Sequence, residues 1–222
     1  MFSFNIYNKN QVIQNGIKEL ANNAVKNGTQ MKDNFIENFI KEAANFKSSD
    51  NALDELFGRI MPANSQLKHL DSNVFAYKDY IINIGSIYGY EPQAIGLSKV
   101  QDLNLKCAPK LISFSNLKNE KDCILIVQIP GCDKGKMVSY DSAIFDVTVQ
   151  ARTALMDDID KLAKEKSVIN KAMLDSDYWA YSPNGDIIIS NWSSLHTIKD
   201  ENYFSAFRKK IKELSGLIYY GL

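Results

Sequence analysis

Several groups of side chains have the types that chemistry needs. In Asn-Trp-Ser-Ser-Leu-His-Thr-Ile, Ser193 and Ser194 lie close to His196. A nucleophile and its base also need spatial convergence with a third, orienting group, which adjacency along the chain does not supply. Hydrolase chemistry is therefore not expected. Asp157, Asp158 and Asp160 stand beside Lys161, Lys164 and Lys166. At helical spacing these carboxylates spread over an exposed side and pair with the lysines, so a solvated face is expected and not a metal site. Cys107, Cys123 and Cys132 form an odd set without CxxC spacing, accompanied only by His69 and His196. Reduced core thiols are the expectation, and a structural zinc site is not supported. One more feature asks for an explanation. In Tyr-Ser-Pro-Asn-Gly-Asp-Ile-Ile-Ile-Ser-Asn-Trp, residues 181–192, a strand of three isoleucines ends in polar Asn191 directly before Trp192.

The chain has 222 residues, 45% hydrophobic and 11% aromatic, which is ample for a packed core in one large domain or two small ones. Its 26 basic and 26 acidic side chains cancel, so no global field favours a polyanion and nucleic acid is not an expected partner. No stretch approaches the roughly 18 apolar residues of a membrane helix, and the N-terminus lacks the basic start and apolar centre of a secretory signal. A soluble chain made in a cytoplasm is expected, with export by a system that reads unstructured N-termini left open.

These residues must be positioned by secondary structure. Residues 11–25 and 31–44 carry apolar positions at helical spacing and are separated by Asn27-Gly28, a helix stop. A polar stretch near residue 48 then suggests a boundary. From Leu53 to Gly85 the pattern turns to strands, with Lys78-Asp79 as the turn between two short ones. A helix follows on the face of Ala94, Ile95, Leu97, Val100 and Leu103, with Pro92 expected in its first turn. Two β-rich runs, APKLISFS and DCILIVQIPG, precede a long helix through Val147, Ala151, Leu155, Ile159 and Leu162. The hairpin of residues 181–192 and a last amphipathic helix through Phe204, Phe207, Ile211, Leu214 and Ile218 complete the order.

Three strands, a helix, two strands, a connection, a long helix, a loop and a hairpin resemble the protein-kinase-like fold over about residues 53–195. The words CAPKLISF and CILIVQIPG resemble its fourth strand and the fifth strand entering the hinge between lobes. The resemblance implies an α+β, reduced two-lobed fold with an N-terminal helical extension. Residues 1–50 would be the extension, 51–131 a β-rich N-lobe-like subdomain and 132–222 a reduced helical C-lobe-like subdomain.

It also implies where working parts should lie. A glycine-rich loop over the phosphates is matched by a segment with the single Gly58. The strand lysine is matched by Asn83, which carries no charge, while Lys78 is expected at a hairpin tip facing solvent. Glu91 matches the helix glutamate, and it also suits a helix N-terminus as an acidic residue. Gln128, Ile129 and Pro130 would offer main-chain hydrogen bonds to an adenine ring. In the catalytic loop Ala172 falls where the aspartate belongs and Asp177 where the metal asparagine belongs. A shift of a few residues makes Asp175 or Asp177 the catalytic acid instead. Asn191 replaces the aspartate that holds a metal, keeping a carbonyl oxygen but lacking the charge.

Only 31 residues follow Asn191. This brevity resembles small kinase-like effectors that bacterial pathogens inject into host cells, and the Asn-, Lys- and Ile-rich composition fits an AT-rich bacterial genome. The expected function is that of a bacterial pseudokinase-like effector or adaptor acting through a protein partner, a host protein among the candidates, with weak or no nucleotide binding. The alternative is an active atypical kinase or nucleotide-dependent transferase acting on a host protein, using ATP and Mg with Asp175 or Asp177. An N-terminal site for a secretion chaperone belongs with the effector reading.

Overall fold

The structure is a computed structural model and describes residues 68–71, 73–117, 121–130, 138–139 and 147–216, together with Ile36, Phe39 and Lys41. The expectations for the first helix, for Leu53 to Gln66 including Gly58, and for Cys132 lie outside the described residues. Within them the chain is α+β, with antiparallel sheets and α-helices.

Strands β1 (Lys68–Asp71), β2 (Val74–Tyr77) and β3 (Tyr80–Ser86) lead into helix α1 (Ile87–Val100), and β4 (Lys110–Asn116) and β5 (Asp122–Gln128) follow. They form one antiparallel sheet in the order β1-β2-β3-β5-β4. Lys78 and Asp79 make the β2–β3 turn, and Lys78 has φ +50°, the left-handed conformation that a tight hairpin demands. Lys78 is exposed there, with its ammonium 5.4 Å from the centre of the Tyr77 ring.

The near-continuous apolar runs of β3 and β5 are what a strand buried on both faces requires. Ile81, Leu125 and Val127 face the core that includes Ala94, Leu97 and Val100 of α1. Ile82, Ile84, Ile124 and Ile126 face the other way, against Phe75, Leu117, Ile36 and Phe39. Ile36 and Phe39, both helical and fully buried, pack against the outer face of the sheet.

Ser86 starts α1 by accepting the Tyr88 amide on its hydroxyl. Pro92 therefore sits in the second turn of α1, not the first. Its missing N–H deprives only the carbonyl of Tyr88, a residue that is 87% exposed, so water can take the acceptor.

After β6 (Val138–Ser139), helix α2 (Val149–Lys161) begins at Thr148, whose hydroxyl accepts the Ala151 amide. A π-helical stretch, Leu162–Lys166, prolongs it. Strand β7 (Val168–Asn170) pairs with β10 (Leu195–Thr197), while β8 (Trp179–Tyr181) lies between β6 and β9 (Ile187–Ile189). The β8–β9 turn uses Gly185 at φ +88°. Helix α3 (Glu201–Leu214) starts at Asp200, whose carboxylate accepts the Tyr203 amide at 2.6 Å.

The sheet and the helical part meet at Cys107. Its amide donates to Asp158 Oδ2 at 2.8 Å, and its carbonyl accepts from the Ile189 amide at 2.9 Å. Asp158 is buried, which corrects the expectation that the whole acidic cluster faces water. It stands three residues after Leu155 and beside Ile159, on the apolar side of α2, and Lys161 reaches it at 3.4 Å. Asp157 is exposed, and Asp160 pairs with Arg208.

Burial, reinforced by the Asp158 carboxylate, pushes the Cys107 thiol well above its ordinary range. Burial, with Asp122 and Glu91 nearby, pushes the Cys123 thiol up to about 12. Both are free, buried thiols, as a core role requires.

Two outcomes follow. Replacing Asp158 by alanine strands the Cys107 amide and should cost about 1.5–3 kcal/mol in urea unfolding; a change below about 0.5 kcal/mol would remove the joint from the account. Because the thiolate is the reactive form, a Cys132→Ser variant should label with a disulfide reagent at pH 8 only as fast as it unfolds. Rapid labelling of the native variant would contradict the burial of Cys107 and Cys123.

Candidate functional site

The segments 169–178 and 189–194 are stitched side by side. Asn170, fully buried, donates its carboxamide Nδ2 to the Asn191 carbonyl at 2.8 Å and accepts the Ala172 amide on its side-chain oxygen at 3.1 Å. The Lys171 amide donates to the Ser194 carbonyl at 2.9 Å. The Ser190 amide and hydroxyl both donate to the Tyr178 carbonyl, at 2.8 and 3.1 Å. Each tryptophan spends its indole N–H locally: Trp179 donates to the Met173 carbonyl, and Trp192 to the Ile189 carbonyl. Buried polar groups need such partners, so these bonds fix the relative register of the two segments.

The positions singled out in the sequence can now be placed. Ala172 is buried, and Met173 beside it is fully buried. Asp175 and Asp177 are both exposed and share one turn, in which Asp175 Oδ1 accepts the Asp177 amide at 3.1 Å. The Tyr178–Ser190 bonds set that turn next to Asn191. Asn191 Oδ1 accepts two hydrogen bonds from Ser193, one from the amide at 3.0 Å and one from the hydroxyl at 2.7 Å. The Ser193 hydroxyl is thus turned to Asn191, while His196 is exposed on β10 opposite Ile169.

Asn83 is half-buried on β3, on the face that Ile81 and Leu125 share, and its Nδ2 donates to the Leu125 carbonyl at 3.4 Å. Glu91 is half-buried on α1, and its charge helps to raise the thiol of Cys123, which lies opposite Gly85. Asn83 and Glu91 thus belong to the same side of the sheet. Gln128 ends β5 between Tyr80 and Lys110. The Ile129 amide donates to the Asp79 carbonyl at 2.8 Å, so this donor is already used inside the protein.

What holds α1 against this region is Gly96. A Cβ there would overlap the carbonyl oxygen of Trp192 and come within 2.7 Å of its carbonyl carbon. The helix therefore rests directly on the backbone that follows Asn191. Trp192 itself is fully buried in the core shared with α1.

Asn170 and Gly96 are the parts of the site that sequence reading passed over. Each left a signal: a glycine inside a helical pattern can have a packing reason, and Asn170 closes an apolar strand just before the loop. Among the described residues, no three His, Cys, Asp or Glu side chains gather as a metal-binding group.

No family model matches the chain, and no curated protein matches it. Among solved structures it is similar to the bifunctional kinase-methyltransferase WbdD. It is 13% identical, with a TM-score of 0.46, to the co-crystal of WbdD with the kinase inhibitor LY294002, over 67% of this chain and 37% of that one. A medium-resolution structure of WbdD gives 12% and 0.42 over 64% and 34%, and a 2.2 Å structure gives 11% and 0.43 over 67% and 37%. The chain thus spans little more than a third of the length of these structures.

Two glycines of α1 give opposite expectations. Gly89 has open space around its missing side chain, so Gly89→Ala should stabilise the protein by about 0.4–1 kcal/mol. Gly96→Ala should destabilise it by about 1–3 kcal/mol despite the better helix propensity, and should alter the near-ultraviolet circular dichroism of Trp192. Equal effects at the two positions would show that α1 does not rest on Trp192.

Proposed function

We propose that this chain is a kinase-fold protein that works by binding, a pseudokinase-like bacterial effector or adaptor whose nucleotide pocket is weak or unused. The order of elements supports the fold: β1 to β3, helix α1, β4 and β5, long helix α2, a loop and the β8–β9 hairpin. The observation that carries the functional reading is the state of Asn191. Its one side-chain oxygen already accepts an amide and a hydroxyl from Ser193, and the group carries no charge with which to hold a hard cation.

Two further positions agree. Asn83 stands where a phosphate-binding lysine would be needed, and Ala172 is an apolar, buried residue where a proton acceptor would be needed. The donor set around Asn191, one neutral oxygen that already accepts twice from Ser193, does not fit magnesium bound beside nucleotide phosphates. The effector reading, with a host protein as partner and a chaperone on the N-terminal segment, rests on the Asn-, Lys- and Ile-rich composition.

One observation favours a second reading. Asp175 and Asp177 are exposed, share a turn, and lie beside Asn191 through the Tyr178–Ser190 bonds. In that reading the chain is an atypical kinase or nucleotide-dependent transferase, with one of the two carboxylates accepting the proton of a host-protein substrate.

Incubation with labelled ATP and magnesium or manganese separates the two. The binding reading expects no transfer to the protein or to added substrates, and a melting-temperature change below about 1 °C with millimolar Mg-ATP. A nucleotide held at a hundred times its dissociation constant would add about 2.7 kcal/mol, or several degrees for a chain of this size. Transfer that disappears in Asp175→Ala or Asp177→Ala would overturn the binding reading in favour of the enzyme.

A further inference from the structure

We infer that the groove between the π-helical end of α2 and the start of α3 is a docking site for an extended peptide segment of a partner protein, one with an apolar residue flanked by a base and an acid. This groove lies apart from Asn191 and has a volume of about 460 Å³, lined by Asp160, Ala163, Lys164, Ser167, Ile198, Glu201 and Phe204. That volume is in the range of roughly 300–1,000 Å³ typical of ligand sites. Ala163, Ile198 and Phe204 are half-buried and make its apolar floor.

The backbone along one wall is unusual twice over. Leu162–Lys166 is a five-residue π-helix, and Ser167, which ends it, has φ +53° although it is not glycine. Both conformations are costly, and both recur where a surface is shaped for a ligand. Three of the lining residues, Ala163, Lys164 and Ser167, come from this stretch.

Charge narrows the occupant. Asp160 is already gripped by the Arg208 fork, with Nε on Oδ1 at 2.7 Å and Nη2 on Oδ2 at 2.9 Å, an arrangement that raises the guanidinium further. Lys164 and Glu201 line the same groove and are exposed, yet they do not pair with each other or with another described residue. An ammonium and a carboxylate with no partner among the described residues, on the rim of an apolar floor, complement an acid and a base that bracket an apolar side chain. The groove is open to solvent, which suits a chain lying across it better than a small molecule that must be enclosed.

This proposal deepens the binding reading by naming a partner class, and its test does not involve nucleotide. Full-length labelled protein is titrated with the peptides Ala-Ala-Lys-Leu-Asp-Ala-Ala and Ala-Ala-Asp-Leu-Lys-Ala-Ala, followed by amide nuclear magnetic resonance. One orientation should shift the amides of Lys164, Ser167, Ile198 and Glu201, and replacing its leucine by alanine should weaken binding about tenfold. Glu201→Lys should weaken it roughly two- to fivefold, as expected for an exposed ion pair. The double exchange Lys164→Glu with Glu201→Lys should transfer the preference to the reverse peptide. No shift at these amides with millimolar peptide, or shifts indifferent to the leucine and to the exchange, would overturn the proposal while leaving the phosphate-transfer result to judge the binding reading separately.

Discussion

Everything around Asn191 depends on how close α1 comes to the backbone of Trp192. With a glycine at position 96, helix and carbonyl touch without a side chain between them. That approach buries the Trp192 ring and fixes the end of β9. The carbonyl of Cys107 holds β9 from the other side through the Ile189 amide, and Asp158 holds the Cys107 amide. One helix, one loop and one buried carboxylate therefore lock the strand that leads into the site. A buried acceptor and a close backbone contact are both intolerant of change, because neither can be replaced by water or by a shifted rotamer.

The elements were legible because their patterns are strong and local. The apolar run Ile124–Val127 reads as a strand and Lys78-Asp79 between short strands reads as a turn, and the structure bears out both. What escaped the sequence were relations between distant segments. Asp158 reads as one more acid in a charged helix until its position beside Ile159 is combined with an unsatisfied amide 51 residues earlier. Asn170 reads as a polar strand end until the Asn191 carbonyl is placed 2.8 Å away. Pro92 falls in the second turn and not the expected first because the helix begins with Ile87, Tyr88, Gly89 and Tyr90, weak helix formers whose start is set by the Ser86 cap.

On the proposed reading, the polar network also bears on how a kinase-like arrangement persists without charge. A catalytic constellation keeps lone pairs and charges uncommitted in a partly dry site, at a cost in stability that substrate and metal later offset. Here Asn170 uses its amide donor and its oxygen within the protein, and the Asn191 oxygen accepts from Ser193 twice. Every one of these groups is neutral and satisfied, so the segments hold their register without a ligand. An aspartate at position 191 would keep the two Ser193 donors but add a negative charge to a network that is neutral and already satisfied. On the proposed reading, a neutral, internally satisfied network is what remains when the fold is retained for its surfaces: it preserves the geometry of the scaffold and dispenses with the electrostatic cost of an active site.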